Sequence, residues 1–238
     1  MRETDTPPPH RAMFERLAPR YDLINTAISF GLDASWRRAV PRRLPAESRP
    51  RRVLDVCCGT GALLAVLARA YPGAALTGLD FSPAMLAEAE RRFAGCRVPP
   101  PRLVLGDQCD LPFADGAFDL VTNAFGLRNA GDYRRGLAEM RRVLAPGGSL
   151  AVLEITRPAP DLSGRLFHLY FDHVAPLIAR CLGGDRDAYR YLPASVRGFL
   201  TGAALAAEVD EIVGARAALY PLFGRAVSLV VAQRPAAG

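Results

Sequence analysis

Three acidic residues each follow a short apolar run, and two of them flank a glycine turn. Asp55 lies just before the turn "CCGTG", Asp80 ends the next apolar run, and Asp107 follows the one after. The glycines permit a tight turn and close approach of a ligand, and the helical pattern that follows offers free N–H groups. An acid at the end of the second strand of a doubly wound sheet can accept hydrogen bonds from a ribose. Asp107 can reach an adenine amino group, and Asp55 can orient the turn or meet the cationic end of an amino acid.

The turn lacks the features that a diphosphate ligand needs. The third glycine of the pattern G-x-G-x-x-G would fall at Leu64, and no G-K-[ST] is present. NAD and S-adenosylmethionine both carry a ribose, but S-adenosylmethionine has a cationic sulfonium and no phosphate. Three acids without a diphosphate signature therefore favour S-adenosylmethionine.

The five cysteines predict neither a disulfide framework nor a metal site. Their count is odd, their spacing is uneven and no export signal precedes them. Adjacent Cys57 and Cys58 do not have the C-x-x-C spacing of a zinc or redox pair. We interpret the cysteines as small packing residues in a reducing cytoplasm.

Every strong cation is an arginine, and the formal net charge is +6. The densest cluster, "WRRAVPRRLPAESRPRR", runs from Trp36 to Arg52. It is either a solvated helix and linker or a surface that attracts an anionic membrane or nucleic acid. No nucleic-acid motif accompanies it, and no apolar run reaches the roughly 18 residues that span a bilayer. We expect a cytoplasmic protein without a nucleic-acid partner, and any membrane contact to be peripheral at the inner face of the cell membrane.

The order of the apolar runs predicts an α/β protein with a doubly wound, Rossmann-like sheet. Strand-like runs alternate with helical periodicity, which is typical of a parallel sheet. The last two runs, "ARAALYPL" and "AVSLVVAQRP", predict an antiparallel finish. Predicted strands lie near 52–57, 75–80, 102–106, 118–124 and 149–156, and predicted helices near 61–70, 83–94 and 132–145.

Three segments are predicted along the chain. Residues 1–11 form a disordered tip, residues 12–48 a helical lid, and residues 49–238 the core. A helical insertion on the substrate side of the core occupies about 160–200. The helical periodicity of the lid is interrupted at Pro19, Gly31 and Pro41.

Longer motifs resemble those of one family. In chain order they are "MFERLAPRYDLINTAISFGLDASWRR", "LDVCCGTG", "LPFADGAFDLVTNAFGLRN", "EMRRVLAPGGSLAVLEITRP" and "YRYLPASV". They are similar to the motifs of the ubiquinone/menaquinone biosynthesis C-methyltransferases (UbiE/MenG type), and the resemblance covers nearly the whole chain. It implies a class I methyltransferase fold with S-adenosylmethionine as cofactor and S-adenosylhomocysteine as product. It also implies methylation of a ring carbon of a prenylated quinol, with demethylmenaquinol as the first candidate, and leaves a homodimer open.

The resemblance implies roles for individual residues. Arg128 in "FGLRN" would stabilise a quinol phenolate or activate a water, since arginine is a poor base, and Asn129 would orient the ring oxygen. Tyr21 and Asp22 in the lid are second candidates for a proton relay. The cofactor-binding residues would be Asp55, Gly59, Thr60, Gly61, Asp80, Phe81, Asp107, Gln108, Asn123 and Ala124, the last in place of a serine common in relatives.

Two features bear on the acceptor. The aromatic helix that carries Phe167, Tyr170 and Phe171 either lines a tunnel for a prenyl tail or packs onto the sheet. Near the C-terminus, "LFGR" replaces the family's "LTGG", and Val230 stands where relatives have a histidine. A second interpretation therefore stays open, in which a related enzyme methylates another aromatic or natural-product acceptor. A non-catalytic binding protein of the same fold is a third.

Overall fold

The computed structural model describes residues 11–96, 98–183 and 186–236; for residues 186–190 it describes the backbone only. Most of the predicted tip lies outside these residues. The strands are β1 (Arg52–Val56), β2 (Ala75–Asp80), β3 (Arg102–Leu105), β4 (Phe118–Ala124), β5 (Leu144–Ile155), β6 (Ala218–Phe223) and β7 (Val227–Gln233).

The strands form a seven-stranded sheet in the order β3-β2-β1-β4-β5-β7-β6. Neighbours from β3 to β5 are parallel, and β7 runs antiparallel to both β5 and β6. The predicted doubly wound sheet with an antiparallel finish is confirmed. β5 begins earlier than predicted, because Leu144 leaves the preceding helix in an extended conformation and pairs with Phe118.

The sheet is covered on both faces, which explains the continuous apolar runs of its central strands. In β1, Leu54 and Val56 point into a core that includes Leu137 of one covering helix and Val209 of another. Val53, one position out of phase, belongs to a second core on the opposite face. The period-2 alternation of a strand thus supplies both cores from one short run.

Side-chain caps and glycines fix several helix ends. Ser82, Asp132 and Thr201 each accept a hydrogen bond from the backbone N–H three residues later. Gly214 ends the last helix in a left-handed conformation. The helices are α1 (Arg11–Leu17), α2 (Tyr21–Ile28), α3 (Leu32–Arg43), α4 (Ala62–Ala70), α5 (Pro83–Phe93), α6 (Tyr133–Val143), α7 (Leu162–Leu169), α8 (Ala175–Cys181), α9 (Arg186–Gly198) and α10 (Gly202–Val213).

The predicted interruption at Pro41 is wrong. Pro41 lies inside α3, which continues to Arg43. It is near the last turn, so the missing N–H removes one late intrahelical bond, and the burial of Val40 and Leu44 on either side holds the segment in place. The interruption at Gly31 is confirmed, since its left-handed backbone separates α2 from α3.

The N-terminal helices and the helices that follow β5 pack against each other. Ile24 and Ile28 of α2 share a small core with Ala175 and Ala179 of α8. A π-helical turn, Tyr170–Val174, joins α7 to α8. Together these helices form a layer near the carboxyl ends of the parallel strands, where ligands of doubly wound folds bind. No helix in the described part of the chain is long and apolar enough to cross a membrane.

Candidate active site

The turn after β1 requires its glycines. Gly59 and Gly61 have φ of 54° and 76°, and the intervening backbone leads directly into α4. A Cβ at Gly61 would lie 3.2 Å from the Phe93 ring and 3.3 Å from the Ala89 Cβ. Cys57 also adopts a left-handed conformation, with φ of 57°. Strain and crowding therefore hold the turn in one shape, open to a ligand.

Asp80 fastens this turn to the end of β2. One carboxylate oxygen accepts the Gly59 N–H at 2.9 Å, and the other accepts the Ser82 N–H at 3.0 Å. Burial raises the pKa of Asp80 to about 6 against the lowering effect of these bonds. Each carboxylate oxygen retains a further lone pair for a ligand hydroxyl. Phe81 follows, and its ring lies 5.8 Å from the Phe14 ring of α1.

Asp55 is buried with an unsatisfied oxygen. Its Oδ1 accepts a 2.7 Å hydrogen bond from the Thr122 hydroxyl of the neighbouring strand. Its Oδ2 is buried and has no hydrogen-bond partner among the described residues. Burial raises the pKa of Asp55 to about 7. Buried acceptors are normally paired, so this oxygen is a candidate acceptor for a ligand donor.

A set of amide contacts lies beyond β3 and β4. Gln108 donates to the Gly126 carbonyl at 3.2 Å, and Asn123 donates to Gln108 Oε1 at 3.4 Å. Gly126 in turn donates its N–H to Asn123 Oδ1. Asp107 is exposed and accepts the Cys109 N–H. Ala124 is half-buried at the end of β4 and has no polar side-chain atom.

The lid reaches the glycine turn through Asp22. The Thr60 hydroxyl donates to Asp22 Oδ1 at 2.7 Å, and Arg92 of α5 forms an ion pair with Asp22 Oδ2. Arg92 also donates to the Thr60 carbonyl at 2.7 Å. Both oxygens of Asp22 are thus occupied at the turn. The sequence makes Asp22 and Tyr21 joint candidates for a proton relay. In the structure Asp22 contacts the glycine turn, whereas Tyr21 lines a cavity together with Arg128.

Arg128 forms a buried ion pair with Glu154 near the end of β5. The Arg128 Nη1 atom lies 2.6 Å from Glu154 Oε1, and the Arg128 backbone N–H donates to Glu154 Oε2 at 3.1 Å. The side chains are 6% and 0% exposed. Burial lowers the pKa of Arg128, but the charge and hydrogen bond of Glu154 raise it, and the net shift is upward. Arg128 is therefore cationic, and its buried Nε has no partner among the described residues.

Two further polar side chains surround this pair. Asn129 accepts a 2.9 Å hydrogen bond from the Tyr191 hydroxyl and donates to the Phe125 carbonyl. Burial raises the pKa of Tyr21, and the charge of Arg128 lowers it less. Tyr21 is thus a neutral phenol in the neighbourhood of a fixed cation.

A cavity of about 440 Å³ extends from Tyr21 and Arg128. Its wall is mainly apolar and aromatic, with Phe167, Tyr170 and Phe171 from the helices that follow β5. These aromatics therefore line a cavity rather than only packing onto the sheet. The turn between β6 and β7, where the chain departs from its resemblance, lines it as well through Phe223 and Gly224.

The model of the ubiE/COQ5 methyltransferase family matches residues 5–230 of this chain. The chain belongs to this family. A demethylmenaquinone methyltransferase of Thermus thermophilus is 47% identical over 195 residues, which cover 82% of this chain and 88% of the relative. One of Deinococcus radiodurans is 49% identical over 187 residues, covering 79% and 77%. A solved SAM-dependent methyltransferase of Aquifex aeolicus shares the fold, with a TM-score of 0.62, 16% identity and coverage of 94% and 98%.

Sequence reasoning missed two charged residues of the candidate site, Glu154 and Arg92. Glu154 stands within the apolar run "LAVLEI", and an acid in a fully buried strand is itself a signal of a required partner. Arg92 gave no signal, because it lies on an amphipathic helix among many other arginines. In the described part of the methyltransferase, no group of three or more His, Cys, Asp or Glu is arranged to hold a metal ion.

Proposed function

We propose that this methyltransferase transfers a methyl group from S-adenosylmethionine to a ring carbon of a prenylated quinol, converting demethylmenaquinol to menaquinol. The observation that carries the proposal is the buried Arg128–Glu154 pair at the wall of an aromatic cavity. Such a wall suits a ring with an apolar tail, and a fixed cation suits an acceptor that becomes anionic. The names of the relatives from Thermus thermophilus and Deinococcus radiodurans support the same acceptor.

The residues around the glycine turn fit the cofactor. S-adenosylmethionine, when bound, supplies an electrophilic methyl group on a cationic sulfur. Asp80 has spare lone pairs for ribose hydroxyls, and the unsatisfied Asp55 Oδ2 is an acceptor for the ammonium of the methionine part. Gln108 and Asn123 offer amide groups at the adenine side, with Asp107 and Phe81 beside them. Thr60 and Gly61 shape the turn, and Ala124 leaves only its backbone to contribute.

Arg128 acts on the acceptor oxygen in this proposal. A quinol ring carbon becomes a good nucleophile when a ring hydroxyl loses its proton to a water molecule, so the phenolate must be stabilised. After the methyl group has moved from sulfur to the ring carbon, that carbon releases its hydrogen as a proton to water and the ring becomes aromatic again. The Arg128 guanidinium does this, since Glu154 and the Phe125 carbonyl hold it in one orientation. Tyr21, kept neutral by its raised pKa, donates a hydrogen bond to the same oxygen. Asn129, oriented by Tyr191, aligns the ring.

Asp22 holds the lid over the cofactor in this proposal. Its two carboxylate oxygens are engaged by Thr60 and Arg92, and it is not among the described residues that line the cavity. A proton relay through Asp22 stays a prediction. The division into a lid at 12–48 and a core at 49–238 is part of the proposal, and a homodimer remains a prediction.

The test is a methyl-transfer assay with purified protein. Methyl-labelled S-adenosylmethionine and chemically reduced demethylmenaquinone are incubated in detergent, and the label is followed by mass spectrometry. We expect label on the ring carbon, and none when the quinone is left oxidised. Absence of transfer with intact binding of S-adenosylhomocysteine would reject the quinol. It would direct attention to another aromatic acceptor in contact with Phe223 and Gly224.

A further inference from the structure

The helices that follow β5 present leucines to the outside. Leu162, Leu166, Leu169 and Leu177 are 73%, 57%, 58% and 51% exposed. With the exposed Val174 they form what we call the leucine face. The buried residues Gly164, Phe171, Ala175 and Ala179 belong to the same helices. The segment therefore has apolar residues on its packed side and large apolar residues on its outer side, which a helix surrounded only by water rarely has.

The leucine face borders the opening of the cavity. Leu166 belongs both to this face and to the cavity wall. Two other wall residues, Phe30 and Phe223, are 71% and 44% exposed. Phe30 holds a left-handed backbone conformation between α2 and α3, with φ of 53°. An apolar rim thus surrounds the entrance to an apolar cavity.

The segment carries two exposed arginines near its leucines in sequence. Arg165 and Arg180 are exposed and have no carboxylate partner in the part of the chain that the structure describes. Asp172 is paired with Arg197, whereas Asp161 caps the start of α7 by accepting the Gly164 N–H and keeps its negative charge. Leucines with unpaired arginines beside them are the pattern of a helix that lies in an anionic lipid interface.

We propose that the leucine face rests on an anionic phospholipid bilayer, with α7 and α8 in the interface and the cavity opening toward the lipid. This inference rests on the proposed function, because a prenylated quinol resides in the bilayer. Its ring must pass from the bilayer into the cavity while its tail stays in the lipid or follows the ring. Apolar area supplies the affinity, and Arg165 and Arg180 select anionic lipid.

Trp36 and Arg37, at the start of the arginine cluster, line the cavity, but most of the cluster's other arginines belong to a different surface. Arg38, Arg42, Arg49 and Arg69 line a separate groove of about 570 Å³ between α3 and α4. Arg69 is near the end of α4, a helix that begins at the carboxyl end of β1 and returns toward the start of β2. The groove is therefore at the amino ends of the strands, whereas Phe223 is at the carboxyl end of the sheet. In the proposed orientation we therefore expect a flat bilayer that touches the leucine face to leave the groove in water.

The first experiment measures sedimentation with vesicles of equimolar phosphatidylglycerol and phosphatidylcholine. Replacing Leu169 by serine (Leu169→Ser) should weaken binding roughly tenfold, since one leucine leaves the apolar phase. Leu105→Ser, on the edge strand β3 at 55% exposure, is the matched control and should bind as the unmodified protein does. Equal weakening by both variants, or no vesicle binding by the unmodified protein, overturns the proposal.

The second experiment tests which arginines face the lipid. The pair Arg165→Gln and Arg180→Gln should weaken binding to anionic vesicles by roughly fivefold per arginine. The pair Arg42→Gln and Arg69→Gln removes the same charge from the groove and should leave binding unchanged. An equal loss from the groove pair overturns the proposed orientation.

A methylation assay separates this inference from the proposed function. With a tailless quinol in solution, Leu169→Ser should retain the unmodified rate, and with tailed quinol in vesicles its rate should fall with its binding. If the unmodified protein turns over neither quinol, the proposed function is rejected. The two vesicle-binding experiments then decide whether the leucine face binds lipid. A lipid-free dimer that Leu169→Ser dissociates would instead assign the leucine face to a second copy of the chain and overturn the inference.

Discussion

At the scale of single residues, the proposed chemical role of Arg128 can be separated from its contribution to stability. Arg128→Ala leaves the Glu154 charge buried and unpaired, which costs roughly 3–5 kcal/mol of unfolding free energy. Adding Glu154→Gln removes that charge and should recover part of the stability. Turnover should stay about a hundredfold down in both variants, because the phenolate has lost its cation. Urea unfolding and steady-state kinetics measure the two effects, and recovery of turnover in the double variant would contradict the assigned role.

If Asp55 binds the ammonium of the cofactor as proposed, cofactor affinity should depend on pH. Its pKa is raised to about 7 in the folded protein by burial, so the folded state holds a proton that the unfolded state has lost. The contribution of Asp55 to stability therefore falls as pH rises from about 4 to about 7 and is level above that. Affinity for S-adenosylhomocysteine should rise over the upper part of this interval, because the ionised carboxylate pairs with the ammonium. Titration calorimetry from pH 6 to 8 checks this, and Asp55→Asn should flatten the profile.

At the scale of elements, the glycine turn provides a matched pair of substitutions. Gly61→Ala places a Cβ against Phe93 and Ala89 at a left-handed position, whereas Gly59→Ala, also left-handed, meets no atom within 4 Å. In both variants the alanine at a positive φ should lower the free energy of unfolding by about 1 kcal/mol. Only Gly61→Ala adds crowding, and it should lose roughly 1–3 kcal/mol more in urea unfolding. Equal losses would mean that α5 moves away from the turn without cost.

Asp22 provides a polar contact between the lid and the core. Arg92→Met removes its ion pair and the bond to the Thr60 carbonyl. The pair is partly exposed, so we expect a modest effect, about 1 kcal/mol in S-adenosylhomocysteine affinity, with turnover at saturation nearly unchanged. Arg91→Met, which breaks the pair with Glu88 and a 3.4 Å bond to the Ala87 carbonyl within α5, is the control. Faster proteolysis between α1 and α2 in the first variant alone would show that the lid has loosened.

The sequence predicts individual strands and helices better than it predicts which distant side chains contact each other. β1 and β2 are predictable because each is a short buried run with an acid at or next to its last position, and burial on both faces leaves a local pattern. Pro41 was misread because a local rule for proline ignores the buried neighbours Val40 and Leu44. Of the Arg128–Glu154 pair, the sequence indicates Arg128 but not Glu154. The two residues are 26 positions apart and meet only when β4 and β5 pair.

At the scale of the whole molecule, the cavity joins three regions that are distant in the chain. α2 supplies Tyr21, α7 and the turn after it supply Phe167 and Tyr170, and the β6–β7 turn supplies Phe223. Closure of the cavity therefore requires the lid, the helices after β5 and the last hairpin to pack at once. This explains why the volume and the opening of the cavity leave no trace in any single stretch of sequence.

The finite volume predicts how turnover depends on the length of the acceptor tail. A cavity of about 440 Å³ encloses a ring and the first part of a tail, and the remainder must leave between Phe30 and Phe223. Each buried methylene contributes about 0.8 kcal/mol, so kcat/KM in detergent-free solution should rise steeply from a tailless quinol to one with a single isoprenoid unit. Further units lie outside the cavity and should add little until vesicles are present. A rise that continues steadily with length in solution would mean that the helices after β5 open into a longer channel, and a flat response would mean that the tail never enters.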